Sequence, residues 1–275
     1  MIPAELRTLR DVLRWAVSRF NAAGLVFGHG TEDAYDEAVW LALHALHLPH
    51  ERLETFLDAR LGAAEKETLA RLIERRIAER IPAAYLTREA WLGDYRFYVD
   101  PRVIVPRSHI AGLLLEDALA PWLERGSVAD VLDLCTGSGC LAVLLALSFP
   151  AARVDAADIS EDALAVARRN VADYGLEERI ALYRSDLFAA LATRRYDLIV
   201  CNPPYVSAAA MRALPPEYRH EPALALAAGA DGLDFVRRLL QDAGRHLQPD
   251  GILVVEVGAQ RTQVEDAYPN LPFIW

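Results

Sequence analysis

The chain has 275 residues, of which 53% are hydrophobic and 25% charged, enough for one large core or a core plus a smaller domain. Its formal net charge of −10 argues against life on a long phosphate backbone, where clustered Lys and Arg supply the affinity, so no stable nucleic-acid binding is expected. No apolar run is long enough to span a bilayer, and Met1-Ile2-Pro3-Ala4-Glu5 lacks the basic-then-apolar layout of a secretory signal. The expectation is a cytoplasmic protein with no membrane partner.

Apolar positions recur at helical spacing through the first ~85 residues. Leu6, Leu9, Leu13 and Val17 form one stripe, and Val39, Leu43 and Leu46 another. Thr31 precedes Asp33, Asp36 and Glu37, which suits an N-cap before an acidic first turn. A further helix is predicted from about Ala63 to Arg80, stopping before Pro82 because proline disfavours helix in the residue before it. Arg71, Arg75, Arg76 and Arg80 alternate with Glu74 and Glu79 and read as a salt-bridged surface. Residues 1–88 carry 12 basic and 13 acidic side chains, leaving −9 of the net charge to the remainder. That shift predicts a near-neutral helical domain over 1–88 and an acidic domain over 107–275. Residues 89–106, with Trp91, Tyr95, Phe97, Tyr98 and the run Val103–Pro106, read as a linking hairpin or strands.

From about residue 128, apolar runs alternate with helical segments. The runs are Val131–Leu134, Arg153–Ala157, Ile180–Tyr183, Asp197–Cys201 and Gly251–Val257. Near-continuous apolar strands separated by amphipathic helices indicate an α/β fold, with a parallel sheet covered on both faces. Cys135, Cys140 and Cys201 are odd in number and lack CxxC spacing, which argues against a disulfide framework or structural zinc. His44, His47 and His50 have ligand-like spacing but no thiol or acid grouped with them, so no metal site is expected.

The first run ends in Asp133-Leu134-Cys135-Thr136-Gly137-Ser138-Gly139 and opens a helix at Cys140. A glycine-bearing turn from strand to helix lets backbone approach a ligand closely, with helix N–H groups pointing at it. Asp158 ends the next strand, where a carboxylate can accept both hydroxyls of a ribose. Asp186 follows the third, where an acid can accept from an adenine amino group. Each signal alone is weak, but consecutive strand ends of such a sheet converge on one crevice. A nicotinamide cofactor fits less well, because the turn lacks the three-glycine fingerprint.

The fourth run ends in Asn202-Pro203-Pro204-Tyr205. Two prolines after a buried strand remove two donors and stiffen the turn. An amide nitrogen is a poor nucleophile because its lone pair is delocalised into the carbonyl. Hydrogen bonds accepted from both of its hydrogens, by the Asn202 side-chain oxygen and the Pro203 carbonyl, would help aim that lone pair, while Tyr205 packs on the planar group. Methyl transfer is then mainly a matter of placement.

Asp133 to Gly139 combined with Asn202 to Tyr205 resembles the class I methyltransferases that modify planar nitrogens. Within them the chain resembles the protein glutamine methyltransferases, which act on release factors or on a ribosomal protein. Phe27–Thr31, Asp36–Ala38, Ala84–Thr87, Glu89–Trp91, Val105–Ser108, Glu217–Pro222 and Asp231–Asp234 are similar to the branch directed at large-subunit ribosomal protein three. The resemblance implies a Rossmann-like, mostly parallel sheet behind an N-terminal helical domain that helps engage the protein substrate. It also implies S-adenosylmethionine as cofactor, with S-adenosylhomocysteine as product. Candidate cofactor residues are Asp133, Cys135, Thr136, Gly137, Gly139, Asp158, Asp186, Leu187 and Asn202. Catalytic candidates are Asn202, Pro203 and Tyr205, and the acceptor glutamine would meet Asn202, Pro203, Pro204, Tyr205 and Glu221. The catalytic motif is shared with DNA adenine methyltransferases, which flip their base into a pocket; the acidic charge and the lack of a basic recognition domain weigh against that reading. A non-catalytic module assisting ribosome assembly is the alternative from another class. Such folds close with two further strands, whereas this sequence reaches Leu271–Trp275 about where the sixth would begin, so the terminal strands are expected to be missing and one sheet edge exposed.

Overall fold

The computed structural model describes residues 1–49, 52–124 and 126–275; His50 of the histidine series lies outside them. The chain divides into two compact units, Met1–Ala90 with Pro215–His220, and Trp91–Leu214 with Glu221–Trp275. Among the described residues no helix is long and apolar enough to cross a membrane.

The first unit is helical. Helix α1 (Leu9–Ala22) begins at a capping box, in which Thr8 accepts from the Asp11 N–H and the Asp11 carboxylate accepts from the Thr8 N–H. Helix α2 (Ala34–Leu46) is capped by Asp33, whose carboxylate accepts from the Tyr35 and Asp36 N–H groups. Thr31, read from sequence as the cap, instead donates its hydroxyl to Glu37 at 3.0 Å. After the short α3 (Leu53–Phe56), α4 (Ala63–Glu79) ends on a left-handed Arg80 before Pro82, and α5 (Ala83–Thr87) follows. Leu9, Val12, Leu13, Ala16 and Phe20 of α1 join a core with Ala38, Leu41 and Ala42 of α2 and Leu69 and Ile73 of α4. Of the predicted α2 stripe, Leu43 is buried as expected, whereas Val39 and Leu46 are only partly buried.

Arg76 departs from the sequence reading. Arg75 does pair with Glu79 on the surface at 3.1 Å, but the Arg76 side chain is 0% exposed. Its guanidinium donates to Glu37, to Glu217 at 3.4 Å and to the Val26 carbonyl at 2.9 Å. Glu217 also accepts from the Val26 N–H at 3.1 Å and from Arg80 at 3.2 Å. Burial pushes the Glu37 carboxyl up, against the pull of Arg76. Burial pushes Glu217 the same way, but its hydrogen bonds, that of the Val26 N–H foremost, outweigh this and bring it below its ordinary value. A helical periodicity count cannot separate this arginine from its exposed neighbours, because its partners lie 39 and 141 positions away.

The second unit carries the sheet. Strands β1 (Glu89–Leu92), within which the boundary between the units falls, and β2 (Tyr95–Tyr98) form a two-stranded hairpin. Val103 and Val105 are buried without forming a strand, since Pro106 has no N–H to give a ladder and the Val105 N–H goes to the Glu221 carboxylate at 2.9 Å. Next come α6 (Ile110–Leu115), β3 (Asp130–Leu134), α7 (Cys140–Ser148), β4 (Arg153–Asp158), α8 (Glu161–Asp173), β5 (Ile180–Arg184), β6 (Tyr196–Cys201), α9 (Ala208–Ala213), α10 (Asp234–Asp242), β7 (Leu247–Val255) and α11 (Arg261–Ala267). The five long strands lie in the order β5-β4-β3-β6-β7, and every pairing is parallel. Apolar clusters cover both faces, one through Val131, Leu144 and Val200, the other through Leu132, Ile199 and Leu239 of α10. Strand β7 begins four residues before the predicted Gly251, across a register shift at Tyr196/Leu198, and forms the sheet edge.

Replacing Arg76 with Ala would leave two buried carboxylates facing each other without their shared cation, so Arg76→Ala should cost about 3–5 kcal/mol of unfolding free energy. Urea unfolding monitored by far-UV circular dichroism checks this, and a loss near that of a surface arginine would contradict the network's role.

Candidate active site

The site grows from the carboxyl ends of β3, β4 and β6. The chain leaves β3 through three left-handed residues, Cys135 (φ 62°), Gly137 (φ 55°) and Gly139 (φ 78°). Glycine at the last two removes the strain that a side chain would carry there. A Cβ at Gly139 would come within 3.0 Å of Ala167, so this glycine lets α7 start hard against α8. The Gly137 N–H donates to Asp158 Oδ2 at 2.9 Å and the Ser160 N–H to Oδ1 at 2.9 Å. Each oxygen of that carboxylate therefore holds one backbone donor and keeps a lone pair for another.

These loops surround a cavity of about 300 Å³, within the size range of small-molecule sites. Cys135, Gly137, Asp158, Asp186, Leu187, Asn202 and Pro204 all line it. Thr136, Gly139, Asp133, Pro203, Tyr205 and Glu221 belong to the surrounding structure and are not part of its lining.

Asp133 lies wholly buried within β3. Its Oδ2 accepts the Thr136 hydroxyl at 2.5 Å, whereas Oδ1 has no hydrogen-bond partner in the protein. Burial pushes this carboxyl up to about 7, with Thr136 pulling the other way. Burial also raises Asp158, against the backbone N–H groups of Ser160 and Gly137. The Cys135 thiol is raised by its hydrogen bond with Cys201 and by burial, so the turn presents a neutral thiol at this point.

Asp186 lines the cavity while its Oδ2 also pairs with Arg238 of α10 at 2.8 Å, a partner not visible in the sequence. Glu221 is fully engaged: Arg107 donates to its two oxygens at 2.5 and 2.8 Å, and the Val105 N–H adds a third bond. Its neighbour Pro222 reaches the cavity instead. Several lining residues escaped the sequence reading, notably Arg102, Ile159, Ala225 and Ala227–Gly229. That stretch arrives by pairing with the chain just after Tyr205: the Val206 N–H donates to the Leu226 carbonyl at 2.8 Å and the Ala228 N–H to the Val206 carbonyl at 2.9 Å. A few isolated bonds of this kind leave no periodic trace in a sequence. Among the described residues no group of three or more His, Cys, Asp or Glu is placed to hold a metal ion.

Because Asp133 binds its proton more tightly folded than unfolded, its burial is least costly below about pH 4 and progressively disfavours the native state as pH rises toward 7, then levels off. Asp133→Asn should remove this slope, on the order of a few kcal/mol over that window. Chemical denaturation of both proteins at pH 4.5 and 7.5 checks it; parallel pH dependence would contradict it.

Residues 11–87 match the family model described as the PrmC N-terminal domain, and residues 114–214 match the methyltransferase small domain. The ribosomal protein uL3 glutamine methyltransferase of Bordetella pertussis is 59% identical over 272 residues, covering 98% of this chain and 91% of that protein. The protein of the same name from Burkholderia pseudomallei is 58% identical over 281 residues, covering 99% and 91%. The one from Bradyrhizobium diazoefficiens is 54% identical over 278 residues, covering 98% and 87%. With a glycine turn and an Asn-Pro-Pro-Tyr loop at the ends of a parallel sheet, and with identity of this extent along nearly the whole chain, the protein belongs to the ribosomal protein uL3 glutamine methyltransferase family.

Proposed function

We propose that this protein transfers a methyl group from S-adenosylmethionine to the side-chain amide nitrogen of a glutamine in ribosomal protein uL3, in the cytoplasm. The observation that carries this reading is the shared cavity: Asp158 at the end of β4 and Asn202 after β6 line the same space.

The residues present fit the cofactor. Asp158 keeps two lone pairs beside its backbone donors, matching the two hydroxyls of a ribose. Leu134, Ala157, Ile159 and Leu187 give the cavity apolar walls, and the Asp186–Arg238 pair at its rim offers a carboxylate to an adenine amino group. When bound, the cofactor supplies an electrophilic methyl on a sulfonium.

Asn202 and Pro203 do the chain's part of the chemistry. The Asn202 side-chain oxygen and the Pro203 carbonyl accept from the two hydrogens of the acceptor amide and turn its lone pair toward the methyl, with Tyr205 against the planar face. A strong base is not needed beforehand, because the nitrogen becomes acidic only after alkylation. The binding role assigned to Gly139 acts through the loop, since its Cα is committed to Ala167. Thr136 and Asp133 likewise act from beneath, as a hydrogen-bonded pair stiffening the turn. Glu221 serves the substrate side by locking Arg107 and Val105 behind Pro222, and the N-terminal helical unit engages uL3.

Two substitutions separate binding from transfer. Asp158→Ala should weaken cofactor affinity by about ten- to a hundredfold, the worth of one or two charge-assisted hydrogen bonds; titration calorimetry with S-adenosylhomocysteine checks it, and an unchanged affinity would remove the ribose assignment. Asn202→Ala should leave that affinity nearly intact while abolishing label transfer to unmodified uL3. Equal loss of both would refute its role, and label appearing on release factor or on adenine-containing DNA, with uL3 unlabelled, would redirect the assignment.

A further inference from the structure

We infer that Glu256, Gly258 and Gln260 clamp Tyr205 of the Asn-Pro-Pro-Tyr loop in one orientation, and that Glu256 is a positioning residue for the reaction. The inference deepens the proposed function and rests on it in one respect, that Tyr205 meets the acceptor amide.

The three residues come from one short run directly after β7, at alternate positions. The Glu256 N–H donates to the Cys201 carbonyl at 3.0 Å, which keeps this run level with the residue just before Asn202. The Tyr205 hydroxyl donates to Glu256 Oε1 at 3.3 Å. The other oxygen, Oε2, accepts from the Ser108 hydroxyl at 2.6 Å and the His109 N–H at 3.1 Å. Two donors on one oxygen hold the carboxylate still, so the phenol meets a stationary acceptor.

Gly258 addresses the ring itself. A Cβ built there would lie 2.7 and 2.8 Å from two ring carbons of Tyr205, and the residue sits at φ 53°. Only glycine lets the aromatic ring rest on the backbone at this distance. At the other end, the Gln260 side-chain amide donates to the Tyr205 carbonyl at 3.4 Å. Gly232, at φ 86°, closes over both, since a Cβ there would come to 2.6 Å from that carbonyl and 2.9 Å from the Gln260 amide nitrogen. The tyrosine is therefore restrained at its hydroxyl, its ring and its backbone by one five-residue run and one turn. Burial first, then the Glu256 charge, push the phenol up to about 12, so it stays protonated and remains a donor to that carboxylate. A planar side chain held in one rotamer before substrate arrives spares the ordering cost at the moment of binding.

The test is a double-mutant cycle on the full chain, with unmodified uL3 and labelled S-adenosylmethionine. Glu256→Ala should lower kcat/KM for uL3 about tenfold, the worth of one hydrogen bond to a charged group, with cofactor affinity changed less than about twofold. Glu256→Gln, which keeps the reach and one acceptor, should recover most of the loss. In a Tyr205→Phe background Glu256→Ala should cost less than about threefold, because the shared interaction is already gone. The same loss in both backgrounds, or cofactor affinity falling in step with activity, overturns the clamp. Nuclear magnetic resonance of ring-labelled tyrosine, with the Tyr205 signal assigned through Tyr205→Phe, reads the clamp without substrate. A sharp signal in the wild type that shifts and broadens in Glu256→Ala supports it, and an unaltered signal overturns it. Should wild-type enzyme leave uL3 unlabelled, the proposed function fails, and the resonance measurement still decides the clamp.

Discussion

Strand β3 pairs in parallel with β4 on one side and β6 on the other, with Leu134 opposite both Ala157 and Cys201. Because all three strands point the same way, their carboxyl ends deliver the glycine turn, Asp158 and Asn202 to one side of the sheet, at the crevice that open parallel sheets reserve for ligands. No long-range charge or special loop is needed to bring these groups together. The register accomplishes it, and the register in turn is specified by strands buried on both faces. The rest of the site elaborates this constraint.

Rigidity recurs in each loop the strands deliver. The first is braced by the Thr136–Asp133 bond and by Gly139 against α8. The second has two prolines, and the run after β7 holds its tyrosine from three directions. Transfer between two bound groups is governed by placement more than by acid–base strength, and the protonation states agree with that. The Cys201 hydrogen bond and burial favour the neutral form of the Cys135 thiol, burial favours that of the Tyr205 phenol, and burial pushes the Asp133 carboxyl up to about 7. The Asp158 carboxylate, which lines the cavity, is supported by two backbone N–H groups against the cost of its burial.

The parts of this arrangement that were legible in the sequence are those with local causes. Runs such as Asp197–Cys201 declare a buried parallel strand by composition, and the positions of Gly137, Asp158 and Asn202 follow from being at strand ends. What escaped was set by distant partners. Val103–Val105 has the composition of a strand, but the Val103 and Val105 N–H groups go to the Asp100 carbonyl and the Glu221 carboxylate rather than to a neighbouring strand. Arg76 sits on a helix whose other arginines face solvent, and only Glu37 and Glu217 reveal why it is buried. Asp33 displaced Thr31 as a helix cap because Thr31 is engaged by Glu37, a contact invisible to cap preferences. Ala225–Gly229 and the Glu256–Gln260 run reach the site through a few scattered hydrogen bonds to Val206, Ala208, Cys201 and Tyr205, which carry no periodicity to read.

The central claim is that a stiff loop grips a flat amide from two sides. A crystal structure with S-adenosylhomocysteine and a glutamine-bearing segment of uL3 tests it most directly. The account predicts the carboxamide nitrogen within hydrogen-bond distance, about 3 Å, of both the Asn202 side-chain oxygen and the Pro203 carbonyl. An Asn202 side chain turned out of the cavity, with the glutamine bound elsewhere, would contradict it.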